Sequence, residues 1–166
     1  MVEPLLRPVR EGDLEACAAL EAACFDAAEA ASKERIARRI AAWPEGFLVL
    51  EHEGHIIGQL NAAACREPDL ARESLKDMVE HDPAGETLVI FSLAVDPAWR
   101  GRGCARMLLE RFVERAREQG RRRILLLCRE TLVPFYRRFG FHDRGPSAST
   151  HGGSSWREME LELDPP

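Results

Sequence analysis

A strand, a glycine-rich turn and an amphipathic helix follow one another without a break between Thr87 and Gly120. Thr87 to Val95 is rich in β-branched and apolar residues, and Asp96-Pro97 then closes it, because proline cannot continue a central strand. Ala105, Leu108, Leu109, Phe112, Val113 and Ala116 recur at helical spacing until Gly120 stops them. Between the two lies Arg100-Gly101-Arg102-Gly103-Cys104. Backbone N–H groups at a helix N-terminus, left open by Gly101 and Gly103, make an anion cradle strengthened by the helix dipole, and a pyrophosphate is its natural occupant. No Gly-Lys-Ser/Thr follows at Walker spacing and no Gly-x-Gly-x-x-Gly is present, so neither a P-loop nor a dinucleotide fingerprint is read.

The rest of the chain builds around this run. With 166 residues, 45% of them hydrophobic and 31% charged, residues 1–166 are expected to form a single domain rather than a disordered chain. Leu5, Leu6 and Val9 give a short strand, and Glu11-Gly12-Asp13 offers a turn and an N-cap for a helix carrying Leu14, Cys17, Ala18, Ala22 and Phe25. Ser32 caps a second helix with Ile36, Ile40 and Ala41, ended by Pro44. Phe47 to Glu51 and His55 to Ala64 form a hairpin about Glu53-Gly54. A polar stretch from 66 to 86 is expected to hold a short helix from Asp69 to Val79. Beyond Gly120 come a strand from Ile124 to Cys128 and a helix capped by Thr131, with Pro134 in its first turn and Gly140 at its end. Two more strands, around Phe141 and from Trp156 to Leu163, flank a flexible segment from Ser147 to Ser155. The order is β-α-α-β-β-β-α-β-α-β-β.

Composition excludes several function classes. Cys17, Cys24, Cys65, Cys104 and Cys128 are odd in number and never spaced Cys-x-x-Cys, so reduced thiols are expected and no metal site; His52 and His55 lack further ligands at metal spacing. Cys104 stands at a helix N-terminus, a place that can lower a thiol pKa. The net charge of −5 speaks against nucleic acid as a partner, and Arg121-Arg122-Arg123 is read as the cationic close of a helix. Residues 1–86 hold 9 basic against 18 acidic residues, and residues 87–166 hold 14 against 10. No apolar stretch approaches the ~20 residues of a membrane span, and the N-terminus lacks a secretory signal, so no membrane partner and a cytoplasmic location are expected.

The loop resembles the Arg/Gln-x-x-Gly-x-Gly/Ala pyrophosphate loop of the GCN5-related N-acetyltransferases, matched by Arg100, Gly103 and Ala105. Val133-Pro134-Phe135-Tyr136-Arg137-Arg138-Phe139-Gly140-Phe141 supplies that superfamily's second landmark at the right distance. Leu93-Ala94-Val95 before the loop, and Cys128 leading into Leu132 to His142, look like the arylalkylamine N-acetyltransferases. Val89 and Phe91 stand where vertebrate members carry a His-x-His pair, so the chain is similar to members outside the vertebrates.

The resemblance implies a mixed α/β (α+β) fold with a central twisted, mostly antiparallel sheet flanked by helices, and two adjacent parallel strands that splay at Leu93 to Val95 and Leu125 to Cys128. It implies acetyl-CoA as cosubstrate, held by Leu93, Ala94, Val95 and by Arg100, Gly101, Arg102, Gly103, Cys104 and Ala105. A small primary amine would approach past Phe91, Leu93, Leu127, the segment around Glu29 and the segment Ser147 to Ser155. Tyr136 is expected to meet the departing CoA sulfur. Glu29 is the first candidate for the base, with His81 and Glu86 behind it. A monomer or homodimer is expected. Polyamine, amino-sugar and protein or peptide acetyltransferases, and a non-catalytic CoA-binding module, remain the alternatives.

Overall fold

The computed structural model describes residues 2–163. Its regular elements come in the expected order: β1 (Leu5–Pro8), α1 (Leu14–Cys24), α2 (Lys33–Ala42), β2 (Phe47–His52), β3 (His55–Cys65), β4 (Thr87–Val95), α3 (Cys104–Glu118), β5 (Arg123–Cys128), α4 (Val133–Arg137), β6 (His142–Pro146) and β7 (Arg157–Glu162). The strands form one sheet in the order β1-β2-β3-β4-β5-β7-β6. β4 and β5 run parallel, whereas β1–β2, β2–β3, β5–β7 and β6–β7 are antiparallel, which is the mixed, mostly antiparallel α/β architecture expected. Packing divides the chain into two compact units: one runs up to Ala62 and adds Ser92–Phe112, and the other holds Ala63–Phe91 and the chain from Val113 onward.

In the first unit Glu53 and Gly54 take φ of +49° and +82°, the paired positive values of a type I′ turn whose twist suits a hairpin. Val9, Cys17, Ile36, Ile40, Phe47 and Val49 form one buried cluster, so α1 and α2 cover the face of β2 that carries Phe47 and Val49. Each large side chain so buried contributes about 1.5–3 kcal/mol. Ser32 caps α2 as its sequence implies, its Oγ accepting the Arg35 N–H at 3.1 Å. Asp13, at the N-cap position of α1, makes no side-chain cap bond. Its carboxylate accepts both terminal nitrogens of Arg7, at 2.8 and 3.1 Å, and the Arg10 N–H at 2.7 Å. The charged fork outcompetes a helix N–H because a bidentate ion pair is the stronger bond, and it holds the Asp13 carboxyl below the usual carboxylate range.

The second unit is built on β5. It pairs with β4 from Thr87 opposite Arg123 to Ile90 opposite Leu126, and with β7 from Arg123 opposite Glu162 to Cys128 opposite Arg157. The expected helix from Asp69 to Val79 is instead a 3₁₀ stretch, Glu73–Asp77, stopped by Met78 at φ +67°. Leu70, Leu75 and Met78 anchor it by burial. The three arginines after α3 are not simply a cationic helix end: Arg121 donates to the carbonyls of Pro83 (2.8 Å) and Gly85, Arg122 lies 3.7 Å from Glu86, and Arg123 reaches Thr87 Oγ1 at 3.0 Å and Glu160 at 3.1 Å. They clamp the segment that leads into β4. Gly85 within it passes so close that a Cβ would lie 2.4 Å from the Cys65 carbonyl oxygen. Thr131 does not cap α4; it lies in the 3₁₀ turn Glu130–Leu132, which runs directly into that helix. Pro134 occupies the first turn of α4 as expected, and Gly140 follows it at φ +91°.

Candidate active site

The turn between β4 and α3 is organised by its own backbone. Asp96 N donates to Ile57 O at 2.8 Å, anchoring the end of β4 to β3, and Asp96 Oδ1 accepts the Ala98 N–H at 2.9 Å to start the Pro97–Trp99 turn. Val95 O accepts Arg100 Nε at 3.2 Å and Cys24 Sγ at 3.3 Å. Arg100 therefore braces the turn with one guanidinium nitrogen. Gly101 and Gly103 have φ of +77° and +81°, a region that L side chains rarely adopt, and a Cβ on either would meet nothing within 4 Å. The backbone here is thus left-handed and faces open space. Met107 N bonds to Gly103 O at 3.0 Å, which places Gly103 at the mouth of α3, where the first-turn N–H groups have no partner inside the helix. Arg102 lies with Cζ 4.8 Å from the Trp99 ring, and the His52 ring is 4.5 Å from the same indole. His52 is thereby accounted for by stacking. Cys104 is buried, and desolvation raises its thiol pKa against the smaller opposing effect of Arg102. Burial overrides the helix-end effect that its sequence position suggested.

Leu93, Ala94 and Val95 close β4, with Ala94 and Val95 buried and Leu93 half-buried. Glu29 sits in the turn after α1, half-buried, its N–H and that of Ala30 both donating to Asp26 O at 2.9 Å. The residue that sequence reasoning missed in this unit is Glu21. It is only 3% exposed, accepts Ala31 N at 2.9 Å and Ser92 Oγ at 2.8 Å, and has Gln59 Nε2 at 3.5 Å. A signal existed: Glu21 falls on the same helical stripe as Cys17 and Phe25, where an acid needs partners.

In the second unit Tyr136 lies on α4, 7% exposed, its ring edge-on to Phe135 at 5.1 Å and to Phe141 at 5.6 Å. Desolvation raises its hydroxyl well above the ordinary tyrosine value, and Cys128 adds to the shift. Burial pushes the Cys128 thiol itself up to about 11. Phe91 and Leu127 are half-buried. His81 accepts the Ala64 N–H on Nδ1 at 3.1 Å, and Glu86 is the partner of Arg122, so both weaker base candidates also hold structure. The segment from Ser147 to Ser155 is tied rather than loose. Ser147 N bonds to Trp156 O at 2.8 Å, His151 Nδ1 is 2.8 Å from Glu73 Oε1, and Trp156 Nε1 donates to His151 O at 3.0 Å. Arg129 lies over Trp156 at 5.4 Å and reaches Ser154 Oγ at 3.2 Å.

A strand that delivers the chain through two left-handed glycines to the start of a long helix, with a Phe-Tyr pair further on in α4, agrees with the family comparison. The acetyltransferase (GNAT) family model matches residues 14–141, and the chain belongs to that family. Serotonin N-acetyltransferase of Macaca mulatta is 36% identical over 121 residues, a match that takes in 72% of this chain and 58% of that protein. Among solved structures, the GphF GNAT-like decarboxylase in complex with isobutyryl-CoA is 26% identical with a TM-score of 0.80, over 96% of this chain and all of that one (100%). A GNAT superfamily phosphinothricin acetyltransferase from Sinorhizobium meliloti, in complex with acetyl-CoA, has a TM-score of 0.72 at 19% identity, over 99% of this chain and 94% of that one.

Proposed function

We propose that this chain is one acetyl-CoA-dependent N-acetyltransferase domain that acetylates the primary amine of a small arylalkylamine. The observation that carries the reading is the left-handed Gly101/Gly103 turn at the start of α3, an anion seat with room where side chains would stand. The likeness to serotonin N-acetyltransferase supports the arylalkylamine part. The residues present fit a diphosphate: N–H groups of Gly101 to Ala105 for its oxygens, Arg102 beside them, and no side chain on either glycine. Acetyl-CoA supplies an acetyl thioester, activated toward attack by an amine.

The chain's own residues then have two proton tasks. A primary amine with a pKa of ~10.4 is protonated at neutral pH, and freeing its lone pair costs about 4.6 kcal/mol at pH 7. Glu29 takes that proton. As the N–C bond forms and the C–S bond breaks, the nitrogen sheds its second proton and the sulfur leaves as thiolate. Tyr136 gives the sulfur its hydroxyl proton, or a hydrogen bond, and the proton shed by nitrogen, carried by water, restores the hydroxyl or completes the thiol. Burial keeps that hydroxyl neutral throughout the working range, which favours donation of a hydrogen bond over full transfer of the proton. Phe91 and Leu127, both half-buried in the second unit, give the acceptor apolar contacts that favour an aryl group over a polyamine. Initial rates of thiol release test the choice of acceptor. Tryptamine or phenylethylamine should exceed spermidine and a lysine peptide in kcat/KM, whereas a tenfold advantage for either of the latter would transfer the reading to polyamines or peptides.

A further inference from the structure

We propose that Glu21 is the positioning residue of the acceptor loop: its buried carboxylate ties the end of the α1–α2 connection to β4 and so sets where Glu29 stands. Glu21 lies in the last turn of α1, and its two oxygens point to different elements. Oε2 accepts the N–H of Ala31, two residues beyond Glu29 and immediately before the Ser32 cap of α2. Oε1 accepts the hydroxyl of Ser92, in β4 between Phe91 and Leu93, with Gln59 of β3 on its other side. Gln59 in turn donates to Cys17 O at 3.2 Å, one turn back along α1. A loop and two strands therefore meet on one carboxylate. Cys24 adds a second tie from the end of α1 to β4, through Val95 O.

The chemistry of the site favours this role over a plain core contact. A buried carboxylate is costly unless it is well hydrogen-bonded, and an apolar residue at position 21 would continue the stripe at less expense. What the carboxylate adds is reach: a single group accepts from a loop N–H and a strand hydroxyl at once. Segment 25–31 has its own hydrogen bonds to Asp26 O at Glu29 and Ala30, so a tie at Ala31 fixes the turn at its far end. The tie adds to the packing of Ala31 against the buried cluster of this unit.

The inference rests on the reading that the amine meets Glu29, and the test separates the two. Glu21→Met keeps the side-chain volume and removes both acceptors. It should lower kcat/KM for the amine at least tenfold while KM for acetyl-CoA stays within twofold, and hydrogen exchange should quicken in residues 25–32. Glu21→Gln keeps an oxygen for Ala31 and an amide that can donate to Ser92 Oγ, so it should recover to within about threefold of the parent. Equal losses in the Met and Gln variants would show that the charge itself acts and would overturn the positioning role. So would parallel changes in both substrates' constants, or unchanged exchange. If Glu21→Met fails to fold, Ser92→Ala decides: a two- to fivefold loss confined to the amine supports the tie, and parent-like kinetics overturn it. Glu29→Gln, measured beside them, should lose most near neutrality and regain rate at higher pH. If it has no effect, the glutamate base falls while the loop tie stands on exchange and on the amine constant.

Discussion

Tyr136 is the only tyrosine in the chain, so its ionisation can be watched without interference. Burial raises its pKa above the ordinary value of ~10. A group whose folded pKa is raised contributes stability that is fully present below the unfolded pKa and is lost as pH rises through the folded one. Tyrosinate absorbance should therefore appear at clearly higher pH in the native protein than in denaturant, and the protein should lose stability above pH ~10; coincident titrations would contradict the burial. Tyr136→Phe keeps the ring against Phe135 and Phe141 and removes only the hydroxyl. A fall in kcat of ~10² or more, with acetyl-CoA affinity little changed, is expected from loss of a general acid. Activity within threefold of the parent would remove the hydroxyl from the chemistry. Tyr136 stands out in the sequence because it sits inside a contiguous motif, and the structure buries it on α4. Glu21 does not stand out, because its partners Ala31, Gln59 and Ser92 lie on three other segments and only folding assembles them.

Elements with strong local periodicity were legible. The apolar stripe of α3 is the buried face of that helix, and the Glu53-Gly54 pair makes the turn its residue types imply. What failed was set by distant partners. The segment from 66 to 86 carries helix-compatible residues, yet it is held as a 3₁₀ stretch and loop by three buried apolar anchors and the arginine clamp after α3. Asp13 was drawn from the helix cap by Arg7, a residue of another element. For the turn before α3 the sequence and the backbone agree, and a direct consequence follows. Gly103→Glu places a negative charge and a strained side chain at φ +81°, where phosphate would lie. Acetyl-CoA affinity measured by calorimetry should fall at least tenfold, a loss of about 1.4 kcal/mol or more. Gly103→Ala, strained but uncharged, should lose less. Near-parental affinity in a folded Gly103→Glu would separate this turn from the cofactor.

Across the whole molecule the charges are unevenly divided, 9 basic against 18 acidic residues in 1–86 and 14 against 10 in 87–166. Four arginines of the second half pair with acids of the same half, Arg106 with Glu110 at 2.6 Å, Arg123 with Glu160 at 3.1 Å, Arg144 with Glu158 at 3.1 Å and Arg157 with Asp143 at 2.8 Å, and these pairs leave its basic excess as it stands. The turn before α3, with its oriented N–H groups and Arg102, lies in that basic half and is the seat we propose for an anionic cofactor. Among the described residues no helix is long and apolar enough to cross a membrane. The fold is shared by proteins of different chemistry, including the GNAT-like decarboxylase, so the fold alone does not choose between amine transfer and another fate of a thioester. The stoichiometry of a single reaction chooses directly. With acetyl-CoA and tryptamine supplied together, CoA thiol and N-acetyltryptamine should appear in equal amounts, and omitting the amine should abolish thiol release. Thiol released at the same rate without amine, or with no acetylated product, would contradict acetyl transfer as the function of this chain.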